Sequence, residues 1–149
     1  MMTNEKINIA MFEKGRADAL NLQDRAEALT ADELYSENMI IPEFEKSCEI
    51  MNMLERPIGF VCKSPSGRIV RLLQNYDSSI YVEDPEDLPA QWGFEWSSRP
   101  EFALPFISIS TSPYMKGNCC IEDGKVYRSL IDTNIWAPSS YPGGWEVIE

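Results

Sequence analysis

The sequence predicts an α+β fold, in which a short helical N-terminal segment is followed by two small antiparallel β modules in tandem, each of three strands. Three observations predict it. Asp123-Gly124 separates two runs of alternating apolar and polar residues, which is typical of a β-hairpin. A similar hairpin pattern surrounds Gly67 earlier in the chain. Ahead of both, Thr30 and Glu33 form the capping-box pattern that begins a helix.

Residues 1–45 form the predicted helical segment. Asn4–Leu29 is rich in good helix formers, but Gly15 interrupts its heptad pattern, so a long coiled coil is not expected. Two interpretations stay open: an amphipathic helix packed on its own subunit, or a docking or oligomerisation element. The second helix, which begins at the capping box, is expected to end before Pro42 because a residue preceding proline avoids the helical conformation. Glu45–Glu55 is long enough for a helix but shows no clean period.

Residues 46–100 form the predicted first β module. Its hairpin spans Gly59–Gln74 and turns at Ser64–Gly67, where proline, serine and glycine favour a tight turn. Asn75–Pro89 is expected to be a polar loop, and Trp92–Trp96 closes the module. The loop carries four carboxylates that we expect to be solvated: Glu83, Asp84, Glu86 and Asp87.

Residues 101–149 form the predicted second β module. Ser97–Pro105 is expected to be a proline-bounded linker, and Phe106–Thr111 is expected to be a strand because its residues alternate. The hairpin at Asp123-Gly124 follows, and then a polar loop. The closing strand is expected at Trp145–Ile148.

The two modules repeat the same sequence pattern. Pro85–Trp92 and Pro138–Trp145 both read P-x-x-(L/Y)-P-x-x-W, and Gly67–Leu73 aligns with Gly124–Leu130. Upstream, two glycine and cysteine positions also correspond: Gly59 and Cys62 with Gly117 and Cys120. A chance match at this many ordered positions is improbable, so we predict two tandem copies of one unit.

Composition and charge exclude several classes of function. The formal net charge is −11, which disfavours nucleic acid and anionic membranes, because phosphate contacts need clustered Lys and Arg. There are no histidines, so the commonest general base and metal ligand are missing. We therefore expect no enzyme, no metal and no cofactor. A module this small has too little apolar core to be stable alone, so we expect each module to pack on the other or on a partner chain.

The cysteines and the hydropathy pattern suggest where the chain is made. None of the four cysteines forms a C-x-x-C pair, which predicts buried free thiols in a protein made in a reducing cytoplasm. No run approaches eighteen apolar residues, and no signal peptide is recognised, so neither membrane insertion nor classical secretion is expected.

The second module also resembles a known family. The hairpin motif G-K-x-Y-(K/R) at Gly124–Arg128, a proline-containing loop and the motif W-E-x-(V/I) at Trp145–Ile148 resemble the chitin-binding type of carbohydrate-binding module, families five and twelve. The resemblance covers Tyr114–Ile148 well and Gly59–Phe94 loosely. The nearest variant is similar to modules in phage and prophage virion proteins, where they occur in tandem behind a short helical segment.

The resemblance implies a structural or adhesion component of a virion, in the tail, baseplate or fibre. Such a protein is made in the host cytoplasm and released by lysis, and its small β modules face host surface glycan. Its partners are other virion proteins and host polysaccharide, and it is expected to be a homo-oligomer, a trimer before a dimer. Two alternatives stay open: an assembly or capsid-decoration subunit without sugar affinity, and a cellular chitin-binding protein.

Aromatic stacking on sugar is the chemistry that the second module offers. The candidate residues for carbohydrate binding are the aromatics Trp136, Tyr141 and Tyr114, with Asn134 and Asp132 as nearby polar groups. Three further aromatics match framework positions and are expected in the core: Tyr127, Trp145 and Trp92.

The sequence departs from the family at the sugar platform. Where the family commonly places an aromatic pair after the hairpin tyrosine, this chain carries Leu130 and Ile131. Either Trp136 and Tyr141 replace the pair, in which case they must be exposed and roughly coplanar, or this face packs on another module.

Overall fold

The computed structural model describes residues 21–148, so the predicted helix Asn4–Leu29 lies outside the described residues as far as residue 20. Residues 21–25 are helical and lead into a 3-10 helix, Ala26–Ala28. Two α-helices follow, α1 (Ala31–Ser36) and α2 (Phe44–Ile50). Seven strands are described: β1 (Val61–Lys63), β2 (Ile69–Leu72), β3 (Trp92–Phe94), β4 (Leu104–Pro105), β5 (Cys119–Glu122), β6 (Lys125–Ser129) and β7 (Trp145–Val147). The predicted α+β class is confirmed.

The capping box at the start of α1 is confirmed. The backbone N–H of Glu33 donates to Thr30 Oγ1 at 3.2 Å, and the backbone N–H of Thr30 donates to Glu33 Oε1 at 3.1 Å. These two bonds satisfy donors that a helix start otherwise leaves without partners. The helix ends at Ser36, before Pro42, and α2 occupies the first half of the ambiguous stretch Glu45–Glu55.

The first sheet contains three antiparallel strands in the order β1-β2-β3. Its hairpin turns at Gly67, whose φ of 85° lies in the left-handed region that glycine adopts without strain. The strand over Trp92–Phe94 closes the sheet, as the sequence predicts.

The second sheet has four strands in the order β4-β5-β6-β7. Strands β5, β6 and β7 are antiparallel, as predicted, and β4 adds a parallel fourth strand beside β5. The prediction of a strand at Phe106–Thr111 is wrong, because the strand lies just before it, inside the predicted linker Ser97–Pro105. The alternating side chains are used for packing instead: Phe106 stacks on Tyr114, with ring centroids 5.4 Å apart, and Ile109 is buried in the core.

The two closing strands have the same register. Trp92 pairs with Leu72 in the first sheet, and Trp145 pairs with Ser129 in the second. Leu72 and Ser129 lie five residues after the turn glycines Gly67 and Gly124, so the pairs are equivalent positions in the two hairpins. Both tryptophans are buried.

The entry to each hairpin is also built in the same way. The N–H of Gly59 donates to the carbonyl of Leu72 at 2.8 Å, and the N–H of Gly117 donates to the carbonyl of Ser129 at 2.9 Å. The φ angles of these glycines are 90° and 98°. A side chain in that conformation is strained, which explains why both positions carry glycine.

One apolar core joins the two sheets. It contains residues of α2, of the first sheet and of the second sheet: Phe44, Met53, Phe60, Cys62, Val70, Leu72, Tyr76, Trp92, Phe94, Trp96, Ile109, Tyr114, Cys120 and Trp145. A second cluster packs the helical segment against the outside of the first hairpin through Leu22, Ala26, Leu34, Tyr35, Ile41, Val61 and Ile69. The three predicted segments, 1–45, 46–100 and 101–149, therefore share apolar contacts. Shared contacts are expected because each module is too small to bury a sufficient core by itself.

A buried ion pair in the first module corrects one prediction, and its arginine also contacts the second module. Glu86 was expected in solvent with the other loop carboxylates, but its Oε2 lies 2.9 Å from Arg68 Nη1 and both side chains are largely buried. Arg68 Nη2 also donates to the carbonyl of Pro105 in β4, at 2.8 Å. The guanidinium group draws Glu86 inward because a buried cation requires a counter-charge.

The cysteines are free thiols, as predicted. Cys62, Cys119 and Cys120 are buried, whereas Cys48 is half-buried. Burial raises the pKa of the Cys62 thiol well above its ordinary value. Among residues 21–148, no helix has the length and apolar character needed to cross a membrane.

Candidate functional site

The loop between β6 and β7, residues 130–144, presents two aromatic side chains at the surface. Trp136 is 48% exposed and Tyr141 is 43% exposed. Exposed large aromatic rings present apolar surface to water and are common anchors of binding sites. Of the three aromatic candidates that the sequence proposed, these two remain accessible.

Tyr114, the third candidate, is buried. Only 1% of it is exposed, and its ring stacks on Trp96 with centroids 4.4 Å apart and planes 13° apart. Its hydroxyl oxygen accepts a hydrogen bond from the N–H of Ile107 at 3.4 Å. Burial raises the pKa of the Tyr114 hydroxyl far above its usual range. The prediction that Tyr114 contacts sugar is therefore corrected, because the stack between the two sheets takes up its ring.

Asn134 was predicted as a polar contact for sugar, but it is fully buried, with 0% exposed. Its Nδ2 donates to Ser129 Oγ at 3.0 Å and to the carbonyl of Gly144 at 3.1 Å. Its backbone forms a two-bond bridge with Tyr114. Asn134 therefore ties the loop to the end of β6 and to Gly144, the residue before β7, and is too deeply buried to contact a ligand.

The same asparagine positions Trp136. Its Oδ1 accepts a hydrogen bond from the backbone N–H of Trp136 at 3.3 Å, and the indole N–H of Trp145 donates to the carbonyl of Trp136 at 2.7 Å. Pro138, two residues on, is buried. The backbone under the exposed tryptophan is thus fixed before any ligand arrives, which reduces the entropy lost on binding.

Tyr141 lies directly on a glycine pair. A Cβ on Gly144 would lie 2.9 Å from Tyr141 Cδ2, closer than carbon atoms approach, whereas a Cβ on Gly143 would lie at an ordinary 3.5 Å from Cε1. The backbone N–H of Tyr141 donates to the carbonyl of Ala137 at 2.9 Å. Adjacent glycines in a sequence indicate either a turn or the close approach of another group, and Gly144 is an example of the second.

The two rings are perpendicular. The centroids of Trp136 and Tyr141 lie 5.7 Å apart, and the planes meet at 79°. This is the edge-to-face arrangement that the ring quadrupoles favour. The expectation of a roughly coplanar platform is therefore wrong: the rings form a corner.

A groove of about 710 Å³ opens at this corner. Ile131, at one of the positions where the family commonly has an aromatic ring, lines it, as does Asp132. Asp132 is exposed, and its Oδ1 accepts a hydrogen bond from the backbone N–H of Lys116 at 3.0 Å. The remaining lining residues are Thr133, Trp136, Ser140 and Tyr141. The groove thus combines apolar faces with one fixed carboxylate.

The framework aromatics lie beneath this loop and in the equivalent place of the first module. Trp145 and Trp92 are buried, and Tyr127 is partly buried against the same core. The indole N–H of Trp92 donates to the hydroxyl of Tyr76 at 3.0 Å. In the first module the closing tryptophan therefore bonds to a buried side chain, and in the second module to the backbone of the exposed loop.

A second cleft lies between residues 23–31 and the loop 57–60, with Arg71 and Glu95 among its lining residues. The two side chains form an ion pair with each other, and Arg71 Nη2 also donates to the carbonyl of Leu29 at 3.1 Å. Arg71 and Glu95 are therefore engaged with groups of the chain itself. Among residues 21–148, no three His, Cys, Asp or Glu side chains are grouped so that they could hold a metal ion.

Comparison with known proteins adds no relative: no model of a protein family matches this chain, and neither curated proteins nor solved structures give a significant match. The resemblance to chitin-binding modules thus depends on the hairpin and closing-strand motifs alone.

Proposed function

We propose that this protein is an adhesion component of a phage or prophage virion, in the tail, baseplate or fibre, and that its second β module binds host surface glycan in the groove beside Trp136 and Tyr141. The observation that carries this proposal is the exposure of two aromatic rings on a loop that is held in place by hydrogen bonds to the buried side chains of Asn134 and Trp145. Surface loops on rigid scaffolds are where binding residues concentrate.

The chemistry of the groove suits a saccharide. The C–H faces of a sugar ring pack on an aromatic face and lose little entropy, because the aromatic side chain has few rotatable bonds. Trp136 offers the larger face, and Tyr141 offers a second face at right angles for a substituent of the ring. One such groove is expected to bind weakly, and useful adhesion comes from many copies on one particle.

The proposal is tested by retention on host cells or on purified wall polysaccharide. Trp136→Ala combined with Tyr141→Ala is expected to abolish retention, because it removes both apolar faces. Leu130→Ala is the matched control. Leu130 is also exposed and precedes Ile131 of the groove, but it is not among the residues that line the groove. Undiminished retention by a folded double variant would reject glycan binding at this site.

A second candidate function is that of an assembly subunit without sugar affinity. The end of α2 with the loop after it, residues 50–58, and the loop 75–82 expose seven large hydrophobic side chains: Ile50, Met51, Leu54, Ile58, Ile80, Tyr81 and Val82. Asn52 Nδ2 donates to Asp77 Oδ1 at 2.9 Å, so the two segments lie against each other. Apolar surface of this kind is typical of contacts between subunits.

Sedimentation of the full chain tests whether these apolar side chains form a contact between subunits. We expect a homo-oligomer, a trimer before a dimer, whose partners include other virion proteins. Ile80→Ser with Val82→Ser is expected to dissociate it if these side chains form the contact. A parent chain that sediments as a monomer at high concentration would reject self-assembly through these residues, whereas adhesion is decided by the retention assay.

A further inference from the structure

We infer that the groove beside Trp136 and Tyr141 takes a glycan that carries a free, positively charged amine, such as an unacetylated amino sugar, in preference to the neutral N-acetylated sugar. This inference rests on the proposed binding of glycan at the same groove. It names the chemical group that the groove distinguishes.

The angle between the rings is the first argument. A flat sugar ring gains most from one aromatic face or from two coplanar faces, and planes that meet at 79° do not provide the second arrangement. A compact ammonium group has no preferred face and is attracted to the negative face of any aromatic ring within about 6 Å of its centroid. In this edge-to-face pair, with centroids 5.7 Å apart, the ring that directs its edge at the other keeps both of its own faces uncovered by its partner, and an ammonium group at the corner would lie against one of them.

The carboxylate of Asp132 is the second argument. Asp132 lines the groove, and the bond from the Lys116 N–H to its Oδ1 fixes the side chain. Among the described residues no other hydrogen bond to this carboxylate is present, so its second oxygen is free for a ligand. None of the ion pairs among residues 21–148 includes Asp132, so within this part of the chain no Lys or Arg side chain is paired with its carboxylate.

The charge of the whole chain agrees with this preference. A formal net charge of −11 raises the local concentration of cationic ligands and repels polyanionic glycans. An ammonium over an exposed ring gains about two- to fivefold in affinity. An exposed ion pair adds up to about fivefold. Together these contacts predict that the amine form binds about tenfold more tightly than the acetylated form.

The experiment compares two probes of the same length: a β-1,4-linked glucosamine hexasaccharide and its fully N-acetylated counterpart. Both are titrated into the full chain by calorimetry or NMR, at low ionic strength and at a pH where the amine is charged. We expect the amine form to bind about tenfold more tightly, and Asp132→Asn to remove most of that difference. Trp136→Ala is expected to weaken binding of both probes.

Asp123→Asn is the matched control for charge. Asp123 is an exposed aspartate of the same module in the β5–β6 turn, away from the groove, and asparagine tolerates its φ of 51°. This variant has the same net charge as Asp132→Asn and is expected to keep the preference for the amine.

Each outcome decides a separate point. Equal affinity for the two probes, or equal effects of Asp132→Asn and Asp123→Asn, would overturn the inference about the amine while glycan binding stands. Binding of the amine form that Trp136→Ala does not weaken would also overturn it, since the contact would then be non-specific attraction to an acidic surface. Failure of both probes to bind, together with undiminished retention of the double aromatic variant on host cells, would overturn both proposals.

Discussion

The buried indole of Trp145 donates a hydrogen bond to the backbone carbonyl of Trp136, with 2.7 Å between nitrogen and oxygen. The first tryptophan closes the second sheet and belongs to the core, and the second is exposed on the loop above it. The Trp145 side chain belongs to the core and also bonds the loop that carries Trp136. The stability of the module and the geometry of the groove therefore depend on each other.

Trp145→Ala is expected to lower the free energy of unfolding by about 3–5 kcal/mol, because it leaves a large cavity in the shared core. Trp145→Phe keeps most of the apolar contact but loses the bond to Trp136, so it should cost less stability and still weaken glycan retention. Urea denaturation and the retention assay measure the two effects. An unchanged melting temperature of Trp145→Ala would contradict the assignment of this residue to the core.

Glu86→Gln is expected to cost about 3–5 kcal/mol, because it leaves the Arg68 guanidinium buried without its counter-charge. The control is Glu101→Gln, since the Arg99–Glu101 pair has a similar distance of 2.8 Å but is half exposed, and should cost less than about 1 kcal/mol. Replacing both partners, Arg68→Met with Glu86→Leu, should cost less than Glu86→Gln alone. Equal effects of the two single variants in urea denaturation would show that the buried ion pair contributes no more to stability than the exposed one.

The same carboxylate predicts a dependence of stability on pH. Burial raises the pKa of Glu86, but hydrogen bonds from Ser66, Arg68 and Ser64 outweigh it, so its pKa lies below the ordinary value. A carboxyl with a lowered folded-state pKa stabilises the fold above its unfolded pKa, about 4.3, and this contribution is lost as the pH falls through the folded value. The stability difference between the parent and Glu86→Gln should therefore shrink below about pH 4 in urea titrations. A difference that grows on acidification would have the wrong sign.

Gly144→Ala is expected to displace the Tyr141 ring and reduce glycan retention, because the new Cβ would lie 2.9 Å from Tyr141 Cδ2. Gly143→Ala is the matched control, since its Cβ would meet the same ring at 3.5 Å, an ordinary contact distance. The tyrosine resonances in NMR spectra report the displacement directly. If both variants retained glycan equally well, the position of Tyr141 would not matter for binding.

Thiol labelling of the folded protein is expected to begin at Cys48. Burial raises the pKa values of the Cys48, Cys62 and Cys119 thiols, and raises the pKa of Cys120 to about 12, so little thiolate is present near neutral pH. Cys48 is only half-buried, whereas the other three thiols are buried. Mass spectrometry after labelling with and without denaturant measures the order. Early labelling of Cys62 or Cys120 would contradict the burial of these residues.

The sequence alone predicted most of the backbone. Turn residues at Gly67 and Gly124, alternation in the flanking strands and the capping box at Thr30 act over a few neighbouring positions, and all three are found in the structure. The repeat also aligned Trp92 with Trp145. Each of them pairs with the equivalent position of its own hairpin, Leu72 and Ser129 respectively. Of the site, the sequence identified the two exposed rings but also included residues that the structure buries.

Those errors share one cause, which is that burial depends on contacts between distant segments. By composition Tyr114, Asn134 and Glu86 are polar or amphipathic residues of loops, and nothing within a few positions shows that Trp96, Gly144 and Arg68 lie against them. Likewise, the alternation of Phe106–Thr111 is compatible with a strand or with packing into a core, and the choice depends on whether a partner strand is available.

The sequence by itself therefore determined the order of the hairpins, their turns and the closing tryptophans, because local backbone preferences decide these features. Only the tertiary structure decided that the two modules share one core, that Asn134 is a buried support and that Trp136 and Tyr141 meet at 79°. The bond from Trp145 to Trp136 joins residues nine positions apart and forms only when the loop folds back on its own sheet, so local sequence preferences do not decide the geometry of this corner.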